Sequence, residues 1–469
     1  MEKPVIPVTV KGRYFWRGDK RFMVNGIVYQ LGKTKRDRSR IHLDPLADEQ
    51  LETLQRSVSL FKELRLNTLF IQYVDETKNH DAAMALLAEA GIYVLACLCG
   101  QRRDLSCYKP SATYTPQLLS SCFRAVDVMA SYPNTLGFII ANEFINSLRV
   151  TSAAPFLRAL TRDVKKYMAL AARQGQRIIP VGVSAADISY LLKTQFDYFS
   201  AGSDEEAIDF FAFNNFNCVG QWSMIKSGTT SLSDMFSSAH IPVFFSQYGN
   251  AEIPARPFFD TRAIYTNDEM LRVFSGGVVY EFFDGPGRFG LVRHATSHGT
   301  VHLKKLNDFS SLKTVLDQFF PPPRLEQRTA KMLLPPPPPP AEEEPALDPS
   351  YAVISRKDLD APSSSSARTA AAPARRDGPP MPRRTAEWQA SHRIPESPMD
   401  WAELEAQIEE NIKDSEWTDV QKDMLDMAVD ELAFGIRDKL IIDDDSHFGA
   451  ENGGDLGNDY KKGRACRVS

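Results

Sequence analysis

Residues 136–143, Leu136-Gly137-Phe138-Ile139-Ile140-Ala141-Asn142-Glu143, are an apolar run of strand length that stops at an amide and a carboxylate. A run with no polar alternation suits a strand covered on both faces, as in a parallel sheet flanked by helices. Comparable runs fall at residues 25–30, 67–73, 92–98, 178–183, 210–216, 243–248 and 278–283. Between them lie amphipathic stretches of helical length, among them 48–64, 80–90, 116–131 and 153–174. Eight such units in roughly 300 residues predict an α/β fold, a (β/α)8 TIM barrel, rather than an open sheet. Ahead of the first unit, residues 8–14 and 21–24 flank Gly18-Asp19 and predict a small hairpin that plugs the barrel bottom.

In a TIM barrel the reactive groups stand at the C-terminal ends of the strands. The fourth run places Asn142-Glu143 there, an arrangement that recurs in retaining glycosidases. The glutamate protonates the leaving oxygen and later activates the acceptor, while the asparagine binds the sugar 2-hydroxyl. Taken alone, a strand-end glutamate is more often a solvated carboxylate. A second strand end reads Ile241-Pro242-Val243-Phe244-Phe245-Ser246-Gln247-Tyr248-Gly249.

That second segment resembles the Ile-Pro-Val-Phe-Phe-Ser-Glu-Tyr-Gly of the fungal β-1,3-glucanosyltransferases, glycoside hydrolase family 72. Further matches follow in chain order: Val10-Lys11-Gly12, Gly26-x-x-Tyr29-Gln30, Asp44-Pro45-Leu46, Ile92-Tyr93-Val94, Leu136-Gly137-Phe138, Asn142-Glu143, Ile179-Pro180-Val181-Gly182, Asp209-Phe210, Ser275-Gly276-Gly277-Val278-Val279-Tyr280 and Phe289-Gly290-Leu291-Val292. The resemblance spans residues 5–310 or so and implies a retaining enzyme that cleaves β-1,3-glucan and transfers it to a second glucan chain. It implies Glu143 as acid/base and Gln247 at the nucleophile position. It further implies sugar contacts from Tyr29, Gln30, Asn142, Phe216, Tyr248 and Tyr280. The family's chemistry uses carboxylates alone, so no cofactor and no metal is expected.

The departures from the family pattern matter as much. Gln247 has nearly the shape of a glutamate but no negative charge, and it can neither form the ester intermediate nor stabilise an oxocarbenium ion by charge. The family's strand-two Arg-x-Tyr aligns with Phe70-Ile71-Gln72, with Tyr73 one step away. A strand-three aspartate aligns with Cys97. Phe216 lacks the family tyrosine's hydroxyl. Trp-Cys-Gly is Cys218-Val219-Gly220, and the cysteine after Glu-Tyr-Gly is Asn250. Those two family cysteines are expected to bond to each other, and Ala83 and Ala201 stand at two further family cysteine positions. Glu281 and Glu252 are the substitute carboxylates considered, but on a strand Glu281 would alternate away from Tyr280. The resemblance therefore leads to a catalytically impaired barrel. The alternatives are an active cell-wall enzyme with an incomplete N-terminus and an interaction protein that works through its tail.

Composition frames these readings. With a net charge of -5 and no long basic stripe, the 469 residues give no electrostatic case for nucleic acid. The first residues lack the apolar run of a secretory signal, and no window has the length of a membrane span, so a cytosolic location is expected. The six cysteines, at 97, 99, 107, 122, 218 and 466, show no CxxC pair, which suits a reducing compartment.

The barrel is expected to occupy residues 1–320. Residues 321–397, with Pro321-Pro322-Pro323 and prolines throughout 335–340, read as a disordered Pro-, Ser- and Ala-rich linker. A polyproline piece of this kind docks on SH3- or WW-type modules or serves as a plain spacer. Residues 398–442 read as acidic amphipathic helices, with Trp401, Leu404, Ile408 and Ile412 at helical spacing, then Val420, Met424, Ala428 and Leu432. They pack on the barrel or on themselves, or bind a partner. Residues 443–469 form a polar tail. Its last four, Cys466-Arg467-Val468-Ser469, fit a prenylation signal at Cys466, with Lys461, Lys462 and Arg464 upstream, which would give peripheral membrane contact.

Overall fold

The computed structural model describes residues 5–31, 43–99, 105–216, 232–250, 256–297, 300–320 and 388–413. Eight parallel strands close into a barrel: β4 (Val24–Val28), β5 (Thr68–Ile71), β6 (Tyr93–Cys99), β7 (Thr135–Asn142), β8 (Val181–Ala185), β9 (Phe210–Asn215), β10 (Val243–Tyr248) and β11 (Phe274–Val279). β11 returns to β4, with Gly276 opposite Val24 and Val279 opposite Ile27. The (β/α)8 expectation therefore holds. The helices Leu51–Glu63, Asp81–Glu89, Pro116–Ala130 and Ala154–Ala171 lie within the stretches read from amphipathic spacing.

Two strands are offset from their predicted positions. β8 begins at Val181 rather than at residue 178. Pro180 has no N–H for the ladder and its carbonyl accepts from Phe138, while Ile178 is exposed. β11 begins at Phe274, four residues earlier than predicted. Gly276-Gly277 lies inside the strand, because Gly276 takes a φ of +93° where its backbone meets Val24.

The N-terminal segment is a three-stranded antiparallel sheet, β1 (Val8–Lys11), β2 (Tyr14–Arg17) and β3 (Lys20–Phe22), rather than one two-stranded hairpin. The turn at Gly12, with φ +58°, makes the extra reversal. The plug itself is as expected. Phe15 is fully buried, with its ring 5.7 Å from Phe210 and 5.8 Å from Phe244 inside the barrel. Val8 and Phe22 join the same apolar layer with Val24, Phe70, Leu95, Cys97 and Ile139. Gly137 and Gly182 make room for Phe210; a Cβ on Gly137 would lie 2.9 Å from that ring. A larger layer, between strands and helices, holds the alternate residues such as Ile71, Phe213, Phe245 and Phe274.

After β11 an antiparallel pair, β12 (Val292–Ser297) and β13 (Thr300–Lys305), leads to the helix Asn307–Phe319. Residues 388–397, placed by composition in the linker, instead lie against the barrel together with the helix Trp401–Lys413. Trp388 is buried against Tyr198, with ring centroids 5.3 Å apart. Apolar Trp388, Ile394 and Met399 supply packing that the proline-rich composition of the neighbouring stretch conceals. The polyproline run, residues 420–432 and Cys466 lie outside the described residues. Among the described residues, no helix is long and apolar enough to cross a membrane.

Candidate functional site

β7, β8, β9 and β10 end side by side, and their last residues form one polar network. Asn214 Nδ2 donates to Glu143 Oε1 at 2.6 Å. Ser184 Oγ donates to Asn142 Oδ1 at 2.6 Å and lies 2.7 Å from Ser246 Oγ. Ser246 Oγ in turn donates to Asn214 Oδ1 at 2.9 Å. Each buried polar atom in this chain of contacts has a partner, which fixes the rotamers of Asn142 and Glu143. Glu143 also takes a left-handed backbone, φ +55°, and its N–H donates to the Ser184 carbonyl at 2.8 Å. A non-glycine residue held in that region costs energy and persists because neighbours over-determine it.

Burial raises the Glu143 carboxyl above the ordinary carboxylate range; the Asn214 bond opposes this and the nearby Asp187 charge adds to it. A carboxyl shifted in this direction is better suited to give a proton to a leaving oxygen. Asp187 is held in place by the Phe216 N–H, 2.7 Å from its Oδ2.

Gln247 stands on β10, beside β9 and three strands round the barrel from β7. The β9–β10 ladder slips between Phe245 and Gln247, after which Gln247 is paired with Asn214 and Tyr248 with Asn215. Such a bulge re-aims side chains. Ser246 reaches the network inside, Tyr248 packs outside against the helix Phe259–Thr266, and Gln247 takes the place between them. Its side chain is 0% exposed, and among the described residues neither Oε1 nor Nε2 has a hydrogen-bond partner.

Three rings stand beside this end of the barrel. Phe216 and Tyr280 are 5.5 Å apart, Phe216 and Phe289 5.7 Å, and Tyr280 and Phe289 5.3 Å, all half-buried. Phe216 and Tyr280 were expected on sequence. Phe289 was not named as a contact, although its motif was quoted, because nothing in the sequence shows the loop folding back. Asn214, Ser184, Ser246 and Asp187 were missed as well. The one available signal was Asn214-Asn215 closing an otherwise apolar strand.

Two expected sugar contacts need correction. Tyr29 is fully buried between barrel and helix, its hydroxyl 3.2 Å from Ser57 Oγ and its ring against Phe61, Phe282 and Phe283. Tyr248 is equally buried and accepts from Thr261 at 3.2 Å. Alternation turns both outward, into the apolar layer between strands and helices and away from the barrel interior. Gln30 is buried, with Nε2 donating to the Leu43 carbonyl at 3.1 Å.

Glu281 does not alternate with Tyr280 along a strand, because β11 ends at Val279, before Tyr280. Glu281 hydrogen-bonds the Tyr280 side chain, and its carboxyl is pushed from 4.5 up to about 7, mainly by burial, with Arg256 opposing and Asp284 adding. Glu252 and Cys218-Val219-Gly220 lie outside the described residues. Cys97 faces the apolar barrel interior, its thiol donating to the Cys99 carbonyl at 3.0 Å. No cluster of three or more metal-binding side chains occurs among the described residues.

A family model described as glucanosyltransferase matches residues 1–319. The 1,3-beta-glucanosyltransferase gel1 of Aspergillus fumigatus is 38% identical over 318 residues, which cover 68% of this chain and 67% of that protein. The 1,3-beta-glucanosyltransferase GAS5 of Saccharomyces cerevisiae is 36% identical over 310 residues, 65% of this chain and 61% of its own length. Among solved structures, a glutamate-to-glutamine mutant of Saccharomyces cerevisiae Gas2p in complex with laminaritetraose and laminaripentaose superposes with a TM-score of 0.60. It is 30% identical and the match covers 68% of this chain and 69% of that one.

Proposed function

The chain belongs to the glucanosyltransferase family of glycoside hydrolases, and on that premise we propose that its barrel binds linear β-1,3-glucan but is impaired in transferring it. The carrying observation is Gln247, a buried amide with no bonded partner among the described residues, at the position where the family resemblance calls for a nucleophilic carboxylate.

Retaining transfer needs two carboxyl groups about 5–5.5 Å apart, one to protonate the leaving oxygen and one to attack the anomeric carbon. Glu143 supplies the first role: it is held by Asn214 and its carboxyl is shifted toward the protonated form. Gln247 cannot supply the second. Its amide oxygen is neutral, so neither a stable ester nor charge stabilisation of the oxocarbenium-like transition state follows, and losing a nucleophile costs many orders of magnitude in rate.

Two further carboxylates at this end of the barrel are otherwise engaged. Asp187 accepts the Phe216 N–H, and Glu281 bonds Tyr280 and has its carboxyl pushed up to about 7 by burial. The features that recognise sugar are better kept. Asn142 is oriented by Ser184, and Phe216, Tyr280 and Phe289 offer ring faces and edges on which a glucan can stack. The laminari-oligosaccharide complex of the related Gas2p supports β-1,3-glucan as the ligand class.

Titration with laminaripentaose, alongside size-resolved analysis of incubated oligosaccharides, tests the reading. Saturable binding with unchanged chain lengths supports it. Longer product chains from the unaltered protein contradict it.

A further inference from the structure

The segment 388–413 is a strap across the helices Pro116–Ala130 and Ala154–Ala171, and one serine sits at its centre. At one end Trp388 is buried against Tyr198, whose hydroxyl donates to the Ser391 carbonyl at 2.7 Å. At the other, Trp401 packs 5.9 Å from Phe123 under Lys166, and Arg173 pairs with Glu405 at 2.6 Å. Between these anchors, Ser397 Oγ donates to Asp163 Oδ2 at 2.9 Å and accepts the Met399 N–H at 3.3 Å.

Asp163 is 0% exposed. Its other partners are the Tyr114 hydroxyl and Arg162, whose Nε lies 2.9 Å from Oδ1 and whose Nη1 holds the Pro395 carbonyl at 3.0 Å. The strap is therefore latched by a buried carboxylate whose guanidinium is already engaged, and the hydroxyl of Ser397 is the strap's own side-chain contribution to that latch.

Ser397 is half-buried and is followed by Pro398, the acceptor arrangement that proline-directed protein kinases use. We propose that Ser397 is a phosphorylation site and that its modification releases the strap from the barrel. The γ-phosphoryl group of ATP passes to Oγ. The bond from phosphorus to the β–γ bridging oxygen breaks and a P–Oγ bond forms. ADP leaves, and the hydroxyl proton goes to the kinase's base. Oγ then has no hydrogen to donate to Asp163, and a group carrying about -1.5 to -2 charges stands against a buried carboxylate.

The surrounding charges add to the repulsion. Glu396, Asp400 and Glu403 outnumber Arg393 nearby in sequence, Arg162 is held by Asp163 and Pro395, and Lys166 lies 4.2 Å over the Trp401 ring. Release uncovers the rings of Phe123 and Tyr198, which Trp401 and Trp388 otherwise cover. The inference does not depend on whether the barrel transfers glucan.

The test uses the full-length protein, a proline-directed kinase and ATP. Mass spectrometry locates the phosphate, and hydrogen exchange is followed in residues 388–413. The expected result is phosphate on Ser397 and exchange in the strap faster by at least about tenfold, with the β4–β11 strands unchanged. Ser397→Glu is expected to move in the same direction, and Ser397→Gln, of equal bulk without charge, to stay closer to the unmodified protein. A folded chain that the kinase leaves unmodified at Ser397, phosphorylated protein with unchanged strap exchange, or Glu and Gln variants that behave alike would each overturn the proposal.

Discussion

The ends of β7 and β10 lie in one ring of strands and face one mouth, yet they are built in opposite ways. At β7, Asn142 and Glu143 are held by Ser184, Asn214 and, through them, Ser246, so that a shifted carboxyl points from a fixed rotamer. At β10 the residue in the equivalent catalytic place is an amide, fully buried, whose two polar atoms bond nothing among the described residues. The network around Glu143 is fully bonded while the side chain at 247 is neutral and bonds nothing among the described residues. On the proposed reading, a catalytic pair can lose one member without collapse of the scaffold that holds the other, because Gln and Glu differ in charge and hardly in volume.

The largest effect expected from this contrast concerns Glu143. In a protein whose transfer activity has been restored at position 247, Glu143→Gln should lower kcat by roughly 10²–10⁴-fold, the usual worth of a positioned general acid. A small effect would mean that some other group supplies the proton.

Next in size is Asn214→Ala. It removes the bond to Glu143 and the acceptor for Ser246, so a loss of about 1–3 kcal/mol in unfolding free energy is expected. Because that bond favours the ionised acid, the Glu143 carboxyl should also titrate at higher pH in the variant, as read from its ¹³C resonance. An unchanged titration would remove Asn214 from the account of how Glu143 is tuned.

Glu281 gives a pH dependence of comparable or smaller size. Its carboxyl is pushed from 4.5 to about 7 in the folded protein, so the native state binds this proton more tightly than the unfolded chain does. The contribution to stability is fully present below about pH 4.5 and is lost as pH rises through about 7. Glu281→Gln should cancel that slope, raising the melting temperature relative to the unaltered protein at pH 8 but not at pH 4. Parallel melting curves across the range would show that burial does not govern this group.

The smallest effect sharpens the comparison most. Gln247→Met replaces a buried amide that bonds nothing among the described residues with an apolar side chain of similar length. It should be neutral or stabilising by up to ~1–2 kcal/mol, since no hydrogen bond is lost and a desolvated amide is removed. A marked loss of stability would mean that Gln247 has polar partners after all, and the contrast between the two strand ends would fail.

The barrel was legible in the sequence because its strands are apolar on both faces and its helices carry a clear amphipathic period. The misplaced starts of β8 and β11 have local causes. Pro180 interrupts an apolar run, and Gly276-Gly277 reads as a break although it marks a close approach to β4. Glu143 and Gln247 were legible from their places at strand ends together with a family motif.

The supporting residues were harder to see. Ser184, Asn214 and Ser246 are ordinary polar side chains 30 or more residues apart, and only barrel closure makes them neighbours. Tyr29 and Tyr248 were misread because a motif records which residues recur and not which side of the strand they face. The docking of Trp388 was hidden by the proline-rich composition before it.

The most direct test of the central claim is Gln247→Glu, assayed beside the unaltered protein on laminari-oligosaccharides, with products resolved by chain length. The account predicts no elongation by the unaltered protein and clear elongation by the variant, since the groove and Glu143 are already in place. Elongation by the unaltered protein, or a variant that binds glucan as before yet transfers none, would contradict it.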